Sequence, residues 1–255
     1  MARGTFVLAL ALLAFAVPST AEEIPTRRDG FVCPPCGCDQ HGIVFAAAGP
    51  CPGCGMALVA LEDQRAVAIL VYPGVELLDF AGPGEVFAAT GKFHVYTVSV
   101  DGEPVLSQGF VTVDPQFSIA DAPAPDILII PGGGIRNVLE NAGLMAWIRS
   151  AAGTADHVLT VCTGAFALAE AGLLDGLRAT THHGSIDHLR EKAPRTEVLE
   201  GVRFVDNGKF VTSAGVSAGI DMSLHVVGGL LGEETAVRTA RYMEYAWSPR
   251  EETED

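Results

Sequence analysis

Between Arg65 and Tyr245, short apolar runs alternate with longer segments whose apolar residues recur at helical spacing. The runs are rich in Val, Ile and aromatic residues and lie at 66–72, 93–100, 126–130 and 157–161. Runs of this kind predict strands buried on both faces, whereas the spacing within 74–90 and 135–152 predicts helices. Strands alternating with helices predict an α/β domain of the Rossmann-like (flavodoxin-like) type, with a mainly parallel sheet and helices on both faces.

The second half of this region predicts three further features. A helix should follow the run at 157–161 and continue to about Ala171. The segment Phe204–Gly215 predicts a β-hairpin with Asn207 and Gly208 at its turn. Helices over 217–231 and 233–245 then complete the domain.

The first residues have the pattern of an export signal. Arg3 precedes an apolar run from Phe6 to Val17, and small residues follow at 19–21. The run is about twelve residues long, shorter than the roughly twenty needed to cross a bilayer. We therefore expect export, to the periplasm, and no stable membrane insertion. Retention of the run as an uncleaved anchor is the alternative.

These patterns divide the chain into a signal peptide at 1–21, a Cys-rich segment at 31–60, the α/β domain at 65–246 and an acidic tail at 247–255. The 255 residues carry a formal net charge of −15. Such an acidic chain lacks the basic surface that nucleic-acid binding requires, and it ends without a helix-turn-helix pattern. We therefore expect a small-molecule ligand and no nucleic-acid partner.

Five of the six cysteines lie in the Cys-rich segment. Cys33 and Cys36 form one Cys-x-x-Cys pair, Cys51 and Cys54 form another, and fourteen residues separate the two pairs. Two such pairs predict a tetrahedral thiolate site for zinc, with copper(I) as a second possibility. Cys38 and His41 are spare ligands. Two disulfides are the alternative, which an oxidising compartment permits.

The remaining cysteine stands where a strand must turn into a helix, in VLTVCTGAFALAEAGLL. Ligands of parallel α/β sheets bind at the carboxyl ends of the strands, where Cys162 should lie. The N–H groups of the following helix should stabilise its thiolate and an oxyanion. The loop 131–134 ends another strand and offers further N–H groups. We interpret this layout as a nucleophile elbow with sulfur as the nucleophile; a buried structural cysteine is the alternative.

Two stretches of the chain resemble known families. The end of the Cys-rich segment, CPGCGMAL, resembles a small heavy-metal-binding zinc ribbon, although Cys36 stands where that pattern has His. The rest resembles the ThiJ/PfpI superfamily, which has the class I glutamine-amidotransferase-like fold. This resemblance rests on YPGVELLDFAGPGEVF, PGGG, VCTGAFALAEAGLLDGLRATTH and AGVSAGID. The most similar branch contains isocyanide hydratase and the ligand domains of AraC-type regulators.

The superfamily resemblance implies roles for individual residues. An acidic residue on the first helix hydrogen-bonds the elbow cysteine in that superfamily, and Asp79 matches the aspartate of the hydratase branch. Thr163 matches the residue after the nucleophile, and Gly133 matches the oxyanion-loop glycine. Peptidases of the superfamily have a histidine base directly after the cysteine, so Thr163 argues against proteolysis. His182 is a candidate pocket residue, with a purely structural role as the alternative.

The resemblance implies hydration of an isocyanide to an N-substituted formamide, without a cofactor for catalysis. Cys162 would attack the terminal carbon and Asp79 would transfer the proton. A glyoxalase- or deglycase-like reaction on small aldehydes is one alternative. A non-enzymatic ligand, redox or metal-stress sensor is another. The resemblance also implies a homodimer.

Overall fold

The computed structural model describes residues 30–34, 38–40 and 43–249. The predicted signal peptide and the end of the acidic tail lie outside the described residues. None of the described helices is long and apolar enough to cross a membrane.

Three groups of strands and helices can be listed in chain order within the described residues. Strands β1–β3 span Phe31–Val32, Val44–Phe45 and Val59–Ala60. Strands β4–β14 span Arg65–Leu70, Phe93–Ser99, Val105–Ser107, Val111–Val113, Phe117–Ser118, Ile127–Ile130, His157–Val161, Arg178–Ala179, Glu197–Val198, Phe204–Asp206 and Phe210–Ser213. Helices α1–α7 span Leu77–Ala89, Arg136–Leu139, Ala142–Thr154, Ala165–Glu170, Ile186–Lys192, Ala218–Leu231 and Glu233–Tyr242.

The central sheet has seven strands among the described residues, in the order β13-β14-β10-β9-β4-β5-β8. All neighbours run parallel except β13 and β14, which form the predicted antiparallel hairpin. The residues of β4, β9 and β10 that face either side of the sheet are almost all inaccessible to solvent. Burial on both faces explains the continuous apolar runs, and the predicted α/β fold class is confirmed.

One predicted helix is wrong in detail. The pattern at 135–152 predicts a single helix, but the structure has α2 and α3, with a break at Glu140 and Asn141. Asn141 is the N-cap of α3, and its Oδ1 accepts a hydrogen bond of 2.9 Å from the N–H of Leu144. A side-chain cap of this kind competes with continuation of the preceding helix. The short elements β6, β7, β8 and α5 were not predicted, because each is too short for a clear period.

The Cys-rich segment forms a separate three-stranded antiparallel sheet in the order β2-β1-β3. Between β3 and β4, the side-chain amide of Gln64 donates to the carbonyl of Gly91, in the loop between α1 and β5, at 3.0 Å.

The strand order places three loops together. Strands β10, β9 and β4 are adjacent and parallel, so the loops that follow them begin at one edge of the sheet. The strand order reverses between β9 and β4, which is where open α/β sheets bind ligands. The candidate site lies in these loops, at residues 71–76, 131–135 and 162–164.

Candidate active site

Cys162 occupies a strained turn directly after β10. Its φ is +58°, in the left-handed region that non-glycine residues rarely adopt. Its N–H donates to the carbonyl of Ala214 at 3.1 Å, and its carbonyl accepts from the hydroxyl of Thr181 at 2.7 Å. A side chain at Gly164 would lie 2.0 Å from the carbonyl oxygen of Ile130, so only glycine fits there. The surrounding backbone therefore imposes the strained conformation.

Asp79 lies in the first turn of α1 and is completely buried. Its Oδ2 accepts a hydrogen bond of 2.9 Å from the N–H of Gly132. Its Oδ1 is buried and has no hydrogen-bond partner among the described residues. Burial raises the pKa of Asp79 to about 7; the Gly132 N–H opposes this increase, and the charge of Glu76 adds to it. The carboxyl group therefore exchanges its proton near neutral pH.

The thiol of Cys162 is also buried, with 7% of its surface exposed. Burial, followed by the charge of Asp79, raises the pKa of Cys162 to about 12, although the N–H and hydroxyl of Thr163 lower it. The N–H of Thr163 favours the thiolate, as expected of this turn, but burial and the charge of Asp79 outweigh it.

Cys162 and Asp79 influence each other. Each contributes to the pKa shift of the other. The contact between the two side chains lowers the pKa of Asp79 and raises that of Cys162, and Oδ1 of Asp79 has no hydrogen-bond partner of ordinary geometry within the described residues. The pair can hold one proton between them, and Oδ1 is the oxygen free to deliver it.

The loop after β9 packs tightly against this pair. The N–H of Gly133 donates to Oγ1 of Thr163 at 3.1 Å. A Cβ at Gly132 would lie 2.7 Å from the backbone nitrogen of Thr163 and 2.9 Å from Oδ2 of Asp79. A Cβ at Gly133, where φ is +100°, would lie 2.4 Å from the carbonyl oxygen of Gly74. The two glycines therefore allow backbone N–H groups to approach the side chains of Asp79 and Thr163.

His182 lies beside the elbow rather than in contact with its sulfur. Its ring packs against Gly215, where a Cβ would lie 2.4 Å from Cδ2, and it stacks on His183. Its Nδ1 accepts a hydrogen bond from the N–H of Gly184 at 3.1 Å. No hydrogen bond joins His182 to Cys162 in the described part of the chain. A pocket function for His182 and a purely structural one both stay predictions.

Two residues of the site could not be found from the sequence. Val216 has a φ of +54°, which is unusual for a β-branched residue, and its backbone contributes to lowering the pKa of Asp79. Tyr72 is buried, and its hydroxyl contacts the loop after β9. Both residues lie in stretches that carry the family resemblance, YPGVELLDFAGPGEVF and AGVSAGID, and Tyr72 also stands at the end of a predicted strand. Neither signal shows which of their atoms contacts the site.

A cluster of four cysteines lies in the small sheet. The Sγ atoms of Cys33, Cys38, Cys51 and Cys54 are all within 4.8 Å of one another. Three of the separations between these atoms are 3.5, 3.8 and 3.9 Å, longer than the roughly 2.05 Å of a disulfide bond. Cys36, a predicted ligand, lies outside the described residues, as does His41. Cys38, predicted as a spare ligand, is a full member of the cluster.

This arrangement of Cys162 and Asp79 supports addition chemistry. A neutral thiol next to a carboxyl group with a pKa near 7 can attack an electrophilic carbon while the carboxyl group accepts and returns a proton. No imidazole hydrogen-bonds the sulfur among the described residues, and Asp79 is the candidate for proton transfer.

Comparisons with known proteins agree with this geometry. The DJ-1/PfpI family pattern matches residues 65–228. Isonitrile hydratase of Pseudomonas putida is 35% identical over 184 residues, covering 72% of this chain and 79% of that protein. The HTH-type transcriptional regulator CdhR of Pseudomonas aeruginosa is 30% identical over 176 residues, but the match covers only 52% of the regulator.

A crystal structure of a ThiJ/PfpI family protein from Pseudomonas syringae superposes with a TM-score of 0.68 and 29% identity. The match covers 73% of this chain and 77% of that one. The family pattern covers most of the chain, and the structural similarity extends over the same sheet. The chain therefore belongs to the DJ-1/PfpI family.

Proposed function

We propose that the protein hydrates an isocyanide to an N-substituted formamide, with Cys162 as nucleophile and Asp79 as proton carrier. The observation that carries this proposal is the buried carboxyl group beside a strained cysteine, with Oδ1 unpartnered among the described residues. Its pKa of about 7 lets it accept a proton and return it within one turnover. The similarity to isonitrile hydratase supports the choice of substrate class.

In the first half of the reaction, the sulfur of Cys162 bonds to the terminal carbon of the isocyanide. The thiol proton moves to the ionised carboxylate of Asp79 as the bond forms, because a thiol with a pKa of about 12 is a weak nucleophile while protonated. Asp79 then delivers that proton to the same carbon. The product is a thioimidate in which carbon is bonded to sulfur, hydrogen and the substituted nitrogen.

In the second half, Asp79 accepts a proton from water as the water oxygen bonds to the thioimidate carbon. Asp79 passes this proton to the nitrogen, which leaves a hydroxyl group on the carbon. The carbon–sulfur bond then breaks as the carbonyl forms, and the hydroxyl proton moves to the sulfur. One isocyanide and one water thereby give one N-substituted formamide and the original thiol.

Turnover of p-nitrophenyl isocyanide, followed by formamide formation, tests this function. Cys162→Ala should abolish turnover, and Asp79→Asn should reduce kcat by about 10² to 10⁴, the usual contribution of general acid–base catalysis. Methylglyoxal is the parallel substrate. Turnover of methylglyoxal without turnover of isocyanide would replace the proposal by a glyoxalase-like function. Stable modification of Cys162 without turnover of either would replace it by a sensor function.

We also propose that Cys33, Cys38, Cys51 and Cys54 bind one zinc ion. Tetrahedral zinc with Zn–S bonds of about 2.3 Å separates its sulfurs by about 3.8 Å. The separations of 3.5, 3.8 and 3.9 Å agree with that value. The donors are all thiolates, which suit zinc and also copper(I). The ion would stabilise the small sheet, whose core is too small to fold alone.

Metal analysis of single-cysteine variants tests the ligand set. Cys38→Ser should lower zinc retention strongly, and Cys36→Ser is the matched control within the same loop. With Co²⁺ in place of zinc, the thiolate charge-transfer absorption should fall by about a quarter in Cys38→Ser, because one of four thiolates is removed. A loss in Cys36→Ser and none in Cys38→Ser would restore the ligand set predicted from spacing. Metal-free protein with two disulfides would exclude both.

Export to the periplasm and assembly as a homodimer complete the proposal. The first rests on the sequence pattern at 1–21, and the second on the superfamily resemblance. Fractionation of cells that produce the full chain tests the first, and sedimentation of the purified protein tests the second. A full-length cytoplasmic product, or a monomer at micromolar concentration, would contradict the respective proposal.

A further inference from the structure

Tyr72 makes an unusual pair of contacts beneath the candidate site. It lies two residues beyond β4, and 1% of its surface is exposed. Its hydroxyl lies 2.8 Å from the carbonyl oxygen of Pro131 and 2.7 Å from that of Gly132. One hydroxyl proton is therefore shared by two consecutive carbonyl groups of the loop after β9. Burial raises the pKa of Tyr72, which keeps the hydroxyl protonated as a donor.

The two carbonyl groups belong to the two peptide units that aim N–H groups at the site. A peptide unit is planar and trans, so its carbonyl and its N–H point in opposite directions. The unit with the Pro131 carbonyl carries the N–H of Gly132, which donates to Oδ2 of Asp79 at 2.9 Å. The unit with the Gly132 carbonyl carries the N–H of Gly133, which donates to Oγ1 of Thr163 at 3.1 Å. Holding the carbonyls therefore fixes both N–H groups.

We infer that Tyr72 is a positioning residue whose hydroxyl fixes the two peptide planes that present N–H groups to Asp79 and Thr163. It does not touch the reacting atoms; it acts through Gly132 and Gly133. The expected effect on turnover rests on the proposed function. The expected effect on the two peptide planes does not depend on that function.

The loop needs such an anchor because of its composition. Gly132 and Gly133 are adjacent and have no side chains to restrict rotation of the peptide unit between them. A rotation would turn that unit's carbonyl towards Thr163 and its N–H away. The N–H of Glu76 donates to the Gly132 carbonyl at 3.0 Å and gives this unit a second anchor. The unit before it depends more strongly on Tyr72, so the N–H facing Asp79 should respond most to loss of the hydroxyl.

Tyr72→Phe in the full chain tests the inference, because it removes one oxygen and keeps the ring in the core. The matched control is Tyr96→Phe. Tyr96 is equally buried, and its hydroxyl donates to the carbonyl of Pro123 at 2.7 Å, away from the site. Both variants lose one buried hydroxyl bonded to a proline carbonyl, so a purely structural effect should be similar in the two.

Amide hydrogen exchange of the peptide that contains 131–134 is the first measurement. Exchange should be at least about tenfold faster in Tyr72→Phe than in Tyr96→Phe, corresponding to a loss of about 1.4 kcal/mol in local protection. The second measurement is turnover of p-nitrophenyl isocyanide. The kcat of Tyr72→Phe should fall by about tenfold to a hundredfold with KM unchanged, less than the 10² to 10³ that removal of an oxyanion donor costs.

The outcomes separate this inference from the proposed function. If the native protein does not turn over the isocyanide, the proposed function fails. The exchange measurement would still test whether the Tyr72 hydroxyl fixes the loop 131–134. Equal exchange at 131–134 in Tyr72→Phe and Tyr96→Phe would overturn the inference. Equal losses of kcat in the two variants would overturn it as well, because they would indicate a general effect on the core.

Discussion

Replacing Asp79 by Asn tests the central electrostatic feature of the site, a buried carboxyl group whose neutral form is favoured. Asn has nearly the shape of a protonated Asp. Its side-chain oxygen can still accept the hydrogen bond that Gly132 donates to Oδ2 at 2.9 Å. The variant loses the ability to ionise inside the protein. The pH dependence of stability is therefore the quantity to measure.

The expected size follows from the two pKa values of Asp79, about 7 in the folded protein and the ordinary 3.8 in the unfolded chain. Between these values the folded state binds more protons than the unfolded state. The free energy of unfolding therefore falls as the pH rises through this range, and it is unaffected by this group on either side. From pH 5 to pH 8, the loss attributable to Asp79 alone is about 2.5 kcal/mol.

Equilibrium urea unfolding at pH 5 and pH 8, followed by far-ultraviolet circular dichroism, measures this quantity. The native protein should lose about 2.5 kcal/mol more than Asp79→Asn over that interval. Asp114→Asn is the control, because Asp114 is exposed and should leave the native pH dependence in place. Identical pH dependence in the native protein and Asp79→Asn would refute the claim that burial raises the pKa of this carboxyl group.

Three further predictions concern the elbow and its loop. Thr181→Val removes the hydroxyl that donates to the Cys162 carbonyl at 2.7 Å, and urea unfolding should show a loss of about 1–3 kcal/mol because a buried acceptor loses its partner. Gly132→Ala would place a methyl group 2.7 Å from the hydroxyl oxygen of Thr163, so turnover should disappear. Gly153→Ala is the control, because Gly153 lies within α3 and faces open space. It should preserve turnover and add up to about 1 kcal/mol of stability. Alkylation of Cys162, followed by peptide mass spectrometry, should increase with pH without a plateau below about pH 10, because its pKa is about 12. Asp79→Asn should accelerate alkylation at pH 9 by removing the charge that raises this pKa, and a plateau near pH 8 in the native protein would contradict the burial argument.

Local pattern was sufficient for most of the fold. The apolar runs predicted β4, β5, β9 and β10 within one or two residues, because burial on both faces favours apolar residues along most of a central strand. The glycine at the β13–β14 turn, Gly208, has the positive φ that its Asn-Gly signal predicts. The break before α3 was missed, because Asn141 is compatible with either a helix interior or a cap until its side chain is placed.

The sequence by itself determined the α/β class, the cysteine at the elbow and the group of cysteines in the Cys-rich segment. These follow from residue type and short-range spacing, which strand burial and turn geometry constrain directly. It also suggested Asp79 and Thr163, through resemblance rather than through physics. Cys-x-x-Cys spacing did not predict that Cys38 belongs to the thiol cluster. Its membership is visible only in the structure, where its sulfur lies 3.9 Å from that of Cys51.

Only the tertiary structure decided the protonation of the site and the position of its loop. The hydrogen bond from Gly132 to Asp79 spans 53 residues, and the contacts of Tyr72 span 59 and 60. The raised pKa values of Asp79 and Cys162 arise first from burial, which depends on every element packed around them. Desolvation and through-space contacts sum over neighbours that are distant in the chain. No local sequence pattern predicts the total effect of desolvation and these contacts, because it arises only when the strands have assembled.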